Sequence, residues 1–329
     1  MASIVLGCGA VRPPRVVTNE DLASDLGVRP QTIFETTGIT RRHYATEGVG
    51  PSDLGRDAAA AALAHADLAP TDVDLIVFAT MTPDIAFPGS GCFLQDKLGC
   101  DTVGAIDVRA QCAGFLFSLA TADRFSAAGA ATRVLVVGAE IYSSALEYAP
   151  RAAAVTPRFG DGAGAVVLGA GPAGGLLATV LHSDPTEFEL FWCEYPASRH
   201  HPARMELEHY ERGLHYYVLD AAALERRAEP ALVDTVREVL GRANVGAGSI
   251  DLCIASYLDP RVARRAAVAA GITGDRVVAP AADHGHIGAA AIPMALADAQ
   301  AAGRIGAGAL VCCVAFGAGL SWGGAVLRL

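Results

Sequence analysis

Two stretches far apart in the chain share one pattern: Asp74-Leu-Ile-Val-Phe-Ala-Thr-Met-Thr-Pro83 and Asp251-Leu-Cys-Ile-Ala-Ser-Tyr-Leu-Asp-Pro260. Each follows an Ala-rich helical run, and each opens on Asp, passes through an apolar strand-like run and closes on Pro. The halves continue alike, with a Gly/Ala-rich helix and then an apolar strand: Cys112 to Gly138 in the first, His286 to Gly317 in the second. Self-similarity on this scale marks duplicated units. The expected organisation is two halves, 1–172 and 173–329, packed face to face. Under that superposition Cys112 and His286 fall at nearly equivalent places, each where a strand or loop gives way to a buried helix.

The rest of the chain alternates in the same way. Val73–Ala79, Arg133–Gly138, Ala163–Leu168, Asp251–Ala255 and Ala309–Ala315 read as strands. Helical stretches are expected at 55–66, 113–129, 230–243, 261–271 and 290–302. Near-continuous apolar strands between helices imply α/β layers with sheets covered on both faces. Hydrophobic residues make up 52% and charged residues 18%, which implies many buried segments or a large subunit interface. The net charge of −10 and the lack of a basic cluster exclude nucleic acid as the natural partner. Residues 305–327 carry no charge, long enough to span a bilayer. The glycines there favour two buried strands around a Gly-rich turn, so no membrane partner is expected. No basic stretch followed by an apolar run opens the chain, so a secretory leader is not expected. The eight cysteines lack metal-like spacing, which points to no metal, no cofactor and the reduced cytoplasm.

The segment at about 183–222 departs from the pattern, with Phe188, Phe191, Trp192, Tyr195, Arg199, Arg204, Tyr210, Tyr216 and Tyr217. It reads either as a lid or wall of a substrate cleft or as a solvated excursion.

Cys112 lies in Val108-Arg-Ala-Gln-Cys-Ala-Gly-Phe-Leu-Phe117. A thiol at a helix N-terminus feels the positive end of the dipole, which favours thiolate, and the backbone N–H groups there can hold an oxyanion. Local sequence alone favours a buried inert thiol instead. Ala282-Asp-His-Gly-His-Ile-Gly-Ala-Ala-Ala291 offers two candidate bases, His284 and His286; a metal site or a surface loop is the competing account. Asp259 ends a repeat strand, where an Asp can orient a histidine tautomer or simply make an Asx-Pro turn. Phe159-Gly-Asp-Gly-Ala-Gly-Ala165 and Phe316-Gly-Ala-Gly-Leu-Ser-Trp-Gly323 read as Gly-rich turns made for close backbone packing, since neither has phosphate-loop spacing.

Taken together these motifs resemble ketoacyl-acyl-carrier-protein synthase III of the thiolase superfamily over nearly the whole chain. The likeness includes Val16-Val-Thr-Asn-Glu-Asp-Leu22, Thr37-Gly-Ile-Thr-Arg-Arg-His43, Ala86-Phe-Pro88, the Cys112 neighbourhood and both Gly-rich stretches. The resemblance implies a five-layered αβαβα sandwich of two duplicated halves and a homodimer. It makes Cys112 the acyl acceptor and implies an oxyanion hole from the backbone N–H groups of Cys112 and Ala318. Phe87 would reach toward the partner subunit's acyl pocket. Ser256, His284, Phe316, Trp192, Arg199 and Arg204 are the further pocket candidates.

Four positions depart from that family. Its decarboxylating histidine belongs where this chain has Ser256, and its asparagine where this chain has His286. The tryptophan and arginine of its coenzyme A grip correspond to Thr32 and Thr36. The remaining Cys112–His286 pair, with Asp259 as a third member, resembles the synthase-III-like acyltransferases of natural-product and antibiotic biosynthesis. The expected activity is transfer of an acyl group from a carrier-protein or coenzyme A thioester, through Cys112, to a hydroxyl or amine of a small acceptor such as a sugar. The alternatives are a decarboxylative condensing enzyme, a thioesterase, and a non-catalytic partner subunit.

Overall fold

The computed structural model describes residues 2–171 and 174–329, and the boundary expected between 172 and 173 lies outside them. Two five-stranded sheets form its frame. From edge to edge the first runs Ala2–Val11, Asp161–Gly171, Arg133–Ile141, Leu75–Ala79, Gly104–Val108. The second runs Gly175–Ser183, Ser321–Arg328, Leu310–Gly317, Leu252–Ser256, Val277–Val278. The orders correspond strand for strand. In both, the repeat strand pairs in parallel with its two neighbours, and the outer pairings are antiparallel.

Helices Gly114–Ala127 and Ala291–Ala301 touch strands of both sheets and form the middle layer. Pro51–His65 and Ser90–Leu98 cover the outer face of the first sheet. Ala221–Ala243 and Pro260–Ala269 cover that of the second. The result is the five-layered thiolase fold. The strands are apolar without alternation because both faces are covered: Val134 to Val137 and Val311 to Cys313 are fully buried. Each valine withdrawn in this way contributes roughly 1.5–3 kcal/mol. Residues 305–327 are these buried strands, and among the described residues no helix is long and apolar enough to cross a membrane.

Phe159–Ala165 is not a turn, as its glycines suggested. From Asp161 onward it is the second strand of the first sheet. The glycines serve contact with the middle helices instead: a Cβ on Gly164 would lie 2.5 Å from the Met294 nitrogen and 2.9 Å from Pro293 Cβ. The first strand escapes the apolar template for the same reason, since a Cβ on Gly7 or Gly9 would strike the backbone of helix Pro51–His65.

The excursion at 183–222 folds back as short turns, helix Leu207–Glu211 and a two-stranded pair, Phe191–Trp192 with Val218–Leu219. Its Phe191, Trp192, Tyr195 and Tyr217 line one cavity with Cys112.

Gly164→Ala should lower stability by about 1–3 kcal/mol, the usual cost of overpacking, in a urea denaturation. Gly241→Ala, in the long outer helix with nothing within 4 Å of its Cβ, should be neutral or stabilise by up to about 1 kcal/mol.

Candidate active site

Cys112 occupies a single 3-10 turn, Gln111–Ala113, that leads into helix Gly114–Ala127. Gln111 just before it has φ 49°, a left-handed conformation that costs a non-glycine residue of order 1–3 kcal/mol. The Ser321 hydroxyl braces this turn. It lies 3.0 Å from Gln111 Oε1 and 2.9 Å from the Ala318 carbonyl, tying the nucleophile turn to the 317–320 turn. Gly317 must lack a side chain there, because a Cβ would sit 2.5 Å from both Cys112 Cβ and Sγ. The backbone N–H groups of Ala318 and Cys112, the two named above for an oxyanion hole, both favour negative charge on the sulfur.

His286 comes from the equivalent point of the second half, ahead of a 3-10 turn and helix Ala291–Ala301. Its backbone is pinned to the first half: its N–H donates to the Arg158 carbonyl at 2.6 Å, and its own carbonyl accepts from Gly160 N at 3.1 Å. The ring then meets the thiol, with Nε2 2.9 Å from Cys112 Sγ. The Tyr257 backbone carbonyl is the group near the ring that favours imidazolium, and among the described residues no carboxylate bonds to Nδ1.

Asp259 is elsewhere. Its Oδ1 caps helix Pro260–Ala269 by accepting from Arg261 N at 2.9 Å, and its Oδ2 pairs with Arg261 Nη2 at 2.6 Å. The local Asx-Pro geometry governs this carboxylate, so the third-member role expected of it is corrected. It faces a separate cavity of about 520 Å³ with Arg158, Tyr257, Thr32 and Thr36. His284 is also displaced from the thiol. Its ring faces Arg12 Nη2 at 3.3 Å and the His43 ring, and it does not line the Cys112 cavity. Burial, then Arg12, pushes it down to about 4.

Cys112 opens into a cavity of about 460 Å³. The 183–222 excursion supplies one wall, with Trp192 and Arg204 among its residues. Arg199 does not line the cavity but stacks over Trp192 at 5.8 Å and pairs with Glu194. Ser256 is buried at the end of its strand and Phe316 packs against Trp322, both outside this cavity. Phe87 is 86% exposed and likewise does not line it.

Two site residues, Glu140 and Tyr142, were not singled out from sequence. Glu140 is fully buried and accepts from Met81 N at 3.0 Å and Thr82 Oγ1 at 2.8 Å. Burial pushes its carboxyl up to about 7. A lone carboxylate inside the apolar run Arg133–Ile141 was the available signal.

The helix dipole does not decide the state of the thiol. Burial pushes Cys112 up to about 12, Glu140 adds to this, and the two backbone N–H groups only partly offset it. Burial pushes His286 down to about 4. Both directions favour an uncharged resting pair, a thiol beside a neutral imidazole.

Residues 106–185 match the family described as 3-oxoacyl-[acyl-carrier-protein (ACP)] synthase III, and residues 240–329 match its C-terminal part. A β-ketoacyl-[acyl-carrier-protein] synthase III of Rhodospirillum centenum is 39% identical over 334 residues, 100% of this chain and 99% of the relative. Among solved structures, 3-oxoacyl-[acyl-carrier-protein] synthase III of Aquifex aeolicus is similar with TM-score 0.90 at 32% identity, covering 99% of this chain and 100% of that one. The priming β-ketosynthase of the R1128 polyketide biosynthetic pathway is similar with TM-score 0.90 at 29% identity, covering 100% and 96%.

The difference absorbance near 240 nm between the protein and Cys112→Ser at pH 7 should show no thiolate; a band of one thiolate per chain would establish an ion pair instead. Asp259→Ala should cost about 0.5–2 kcal/mol of stability through the lost cap. It should leave the acylation rate of Cys112 at saturating donor within twofold of the parent, measured by quenched-flow mass spectrometry.

Proposed function

The chain belongs to the 3-oxoacyl-[acyl-carrier-protein] synthase III family, and within it we propose an acyltransferase that carries an acyl group on Cys112 to an oxygen or nitrogen acceptor. The observation that carries this reading is the single base at the sulfur, His286 Nε2 at 2.9 Å from Sγ. The second histidine that the synthases use for decarboxylation is replaced by Ser256, and His284 faces away. The synthases hold a malonyl-derived enolate with a histidine and an asparagine, and this chain has Ser256 and His286 at those positions. Deprotonating a hydroxyl or amine calls for one neutral base, which it has.

In the first half-reaction His286 Nε2 takes the thiol proton as Sγ attacks the donor carbonyl. The oxyanion is held by the N–H groups of Cys112 and Ala318. Collapse breaks the donor C–S bond, and the departing thiolate takes the proton back from His286. In the second half-reaction the acceptor hydroxyl or amine gives its proton to the same nitrogen and attacks the Cys112 thioester. The C–S bond breaks, the pair stays on Sγ, and His286 returns the proton. Its depressed value keeps the imidazole neutral and able to accept at any pH above about 4.

The donor is a carrier-protein or coenzyme A thioester, and the cavity into which Cys112 opens receives its acyl group. The acceptor is a small natural product, a sugar hydroxyl among the candidates. A homodimer is supported by the unpaired edge strand Gly104–Val108 and by exposed Phe87. The names of the curated relatives favour a second reading, decarboxylative condensation as in β-ketoacyl synthases, which would yield a carbon–carbon product.

Incubation with short acyl thioesters should add one acyl mass to Cys112, which hydroxyl or amine acceptors then remove as ester or amide. His286→Ala should lower this transfer by at least about a hundredfold, within the range for general-base catalysis. Absence of any adduct from every donor would overturn the enzymatic reading.

A further inference from the structure

Tyr142 lies at the centre of the site and has no part in the steps above. It follows strand Arg133–Ile141 directly, lines the Cys112 cavity, and is only 2% exposed. Its ring is fixed by Phe159 at 4.9 Å, Tyr217 at 5.8 Å and His286 at 6.2 Å between centroids. The hydroxyl shares that cavity with the Cys112 sulfur and favours negative charge on it. The far side of the hydroxyl is kept open by Gly288, where a Cβ would lie 2.6 Å from it and 2.9 Å from Glu140 Oε1. Gly288 has φ 49°, so backbone conformation and space both call for glycine at this point.

The phenol is held as a donor. Burial, then Glu140, then Cys112 pushes its ionisation well above the usual tyrosine range, so it carries its proton throughout turnover. A buried tyrosine hydroxyl ordinarily finds a partner. Here the group that shares its cavity is the reacting sulfur. The sulfur otherwise has a difficult environment, since it is buried and Glu140 adds negative potential. Every turnover nevertheless needs developing thiolate twice, once on attack and once when the acyl group departs.

We propose that Tyr142 is a catalytic residue, its hydroxyl donating a hydrogen bond to Cys112 Sγ and stabilising the thiolate as it forms and leaves. His286 moves the proton, the N–H groups of Cys112 and Ala318, which also favour charge on the sulfur, take the carbonyl oxygen as its charge forms, and Tyr142 stays with the sulfur. This division of labour explains how the pair operates without a carboxylate on His286. The inference rests on Cys112 as nucleophile, the reading given above, but not on the identity of donor or acceptor.

The test is therefore independent of both. Tyr142→Phe keeps the ring among Phe159, Tyr217 and His286 and removes only the hydroxyl. Iodoacetamide alkylation of Cys112 at pH 8, followed on its own peptide by mass spectrometry, forms the S–C bond, expels iodide and requires the thiolate. The rate constant should fall by at least about tenfold in Tyr142→Phe, the range for a hydrogen bond to a charged group. The melting temperature and the alkylation rate of exposed Cys92 should be unchanged. A Cys112 rate within twofold of the parent would overturn the proposal. A tenfold loss in a protein that accepts no acyl thioester would uphold Tyr142 as thiolate donor while removing the proposed transfer. If Tyr142→Phe melts early, the parent fully labelled with 3-fluorotyrosine, a stronger donor, supplies the opposite arm: alkylation of Cys112 should rise, and no change would contradict the role.

Discussion

The 2.9 Å contact between Cys112 Sγ and His286 Nε2 joins residues from opposite halves of the chain. Neither half contains a reactive pair by itself. The contact requires both sheets to present the same point of the same motif, a 3-10 turn entering a middle-layer helix, at one level of the sandwich. The pinning of His286 between the Arg158 carbonyl and Gly160 N sets that level. The glycines at 138, 160 and 317 let the turns close, because a Cβ at each would strike the 289, 284 or 112 neighbourhood. The site is thus a consequence of duplication followed by close approach, with small residues at the seams.

The same closeness controls the chemistry. A fully enclosed thiol and imidazole resist charge, and burial dominates both groups. The helix dipole that invites a thiolate explanation is one favourable contribution against a larger desolvation cost. An uncharged resting pair suits an enzyme whose thiol must survive in a cell and react only with a bound thioester. It also places the weight of catalysis on donors fixed in advance: under the proposals above, two backbone N–H groups for oxygen and Tyr142 for sulfur.

Much of this was legible in residue order. The strands at 75–79, 133–141, 252–256 and 310–317 are long buried apolar runs, and burial on both faces is what such runs encode. The repeat located Cys112 and His286 because a duplicated topology fixes equivalent positions. Asp259 shows the limit. The Asp-Pro dipeptide has a local answer, the helix cap, and that answer prevailed over a distant imidazole. The glycines of 160–164 read as a turn because a strand that must admit a helix backbone looks like a loop in composition. Tyr142 was hidden because nothing in its neighbours along the chain marks it. Its meaning comes from Phe159, Tyr217 and His286, all brought in by tertiary structure.

The central claim is that the thioester on Cys112 is destined for oxygen or nitrogen and that no enolate is made beside it. It is tested most directly by supplying the acylated protein with a malonyl thioester carrying isotope in its free carboxyl group and analysing the released gas. The account predicts that the label stays in the malonyl group and that no labelled carbon dioxide appears above the protein-free control. Labelled carbon dioxide released in step with a new carbon–carbon bond would contradict it and identify the site as a condensing one.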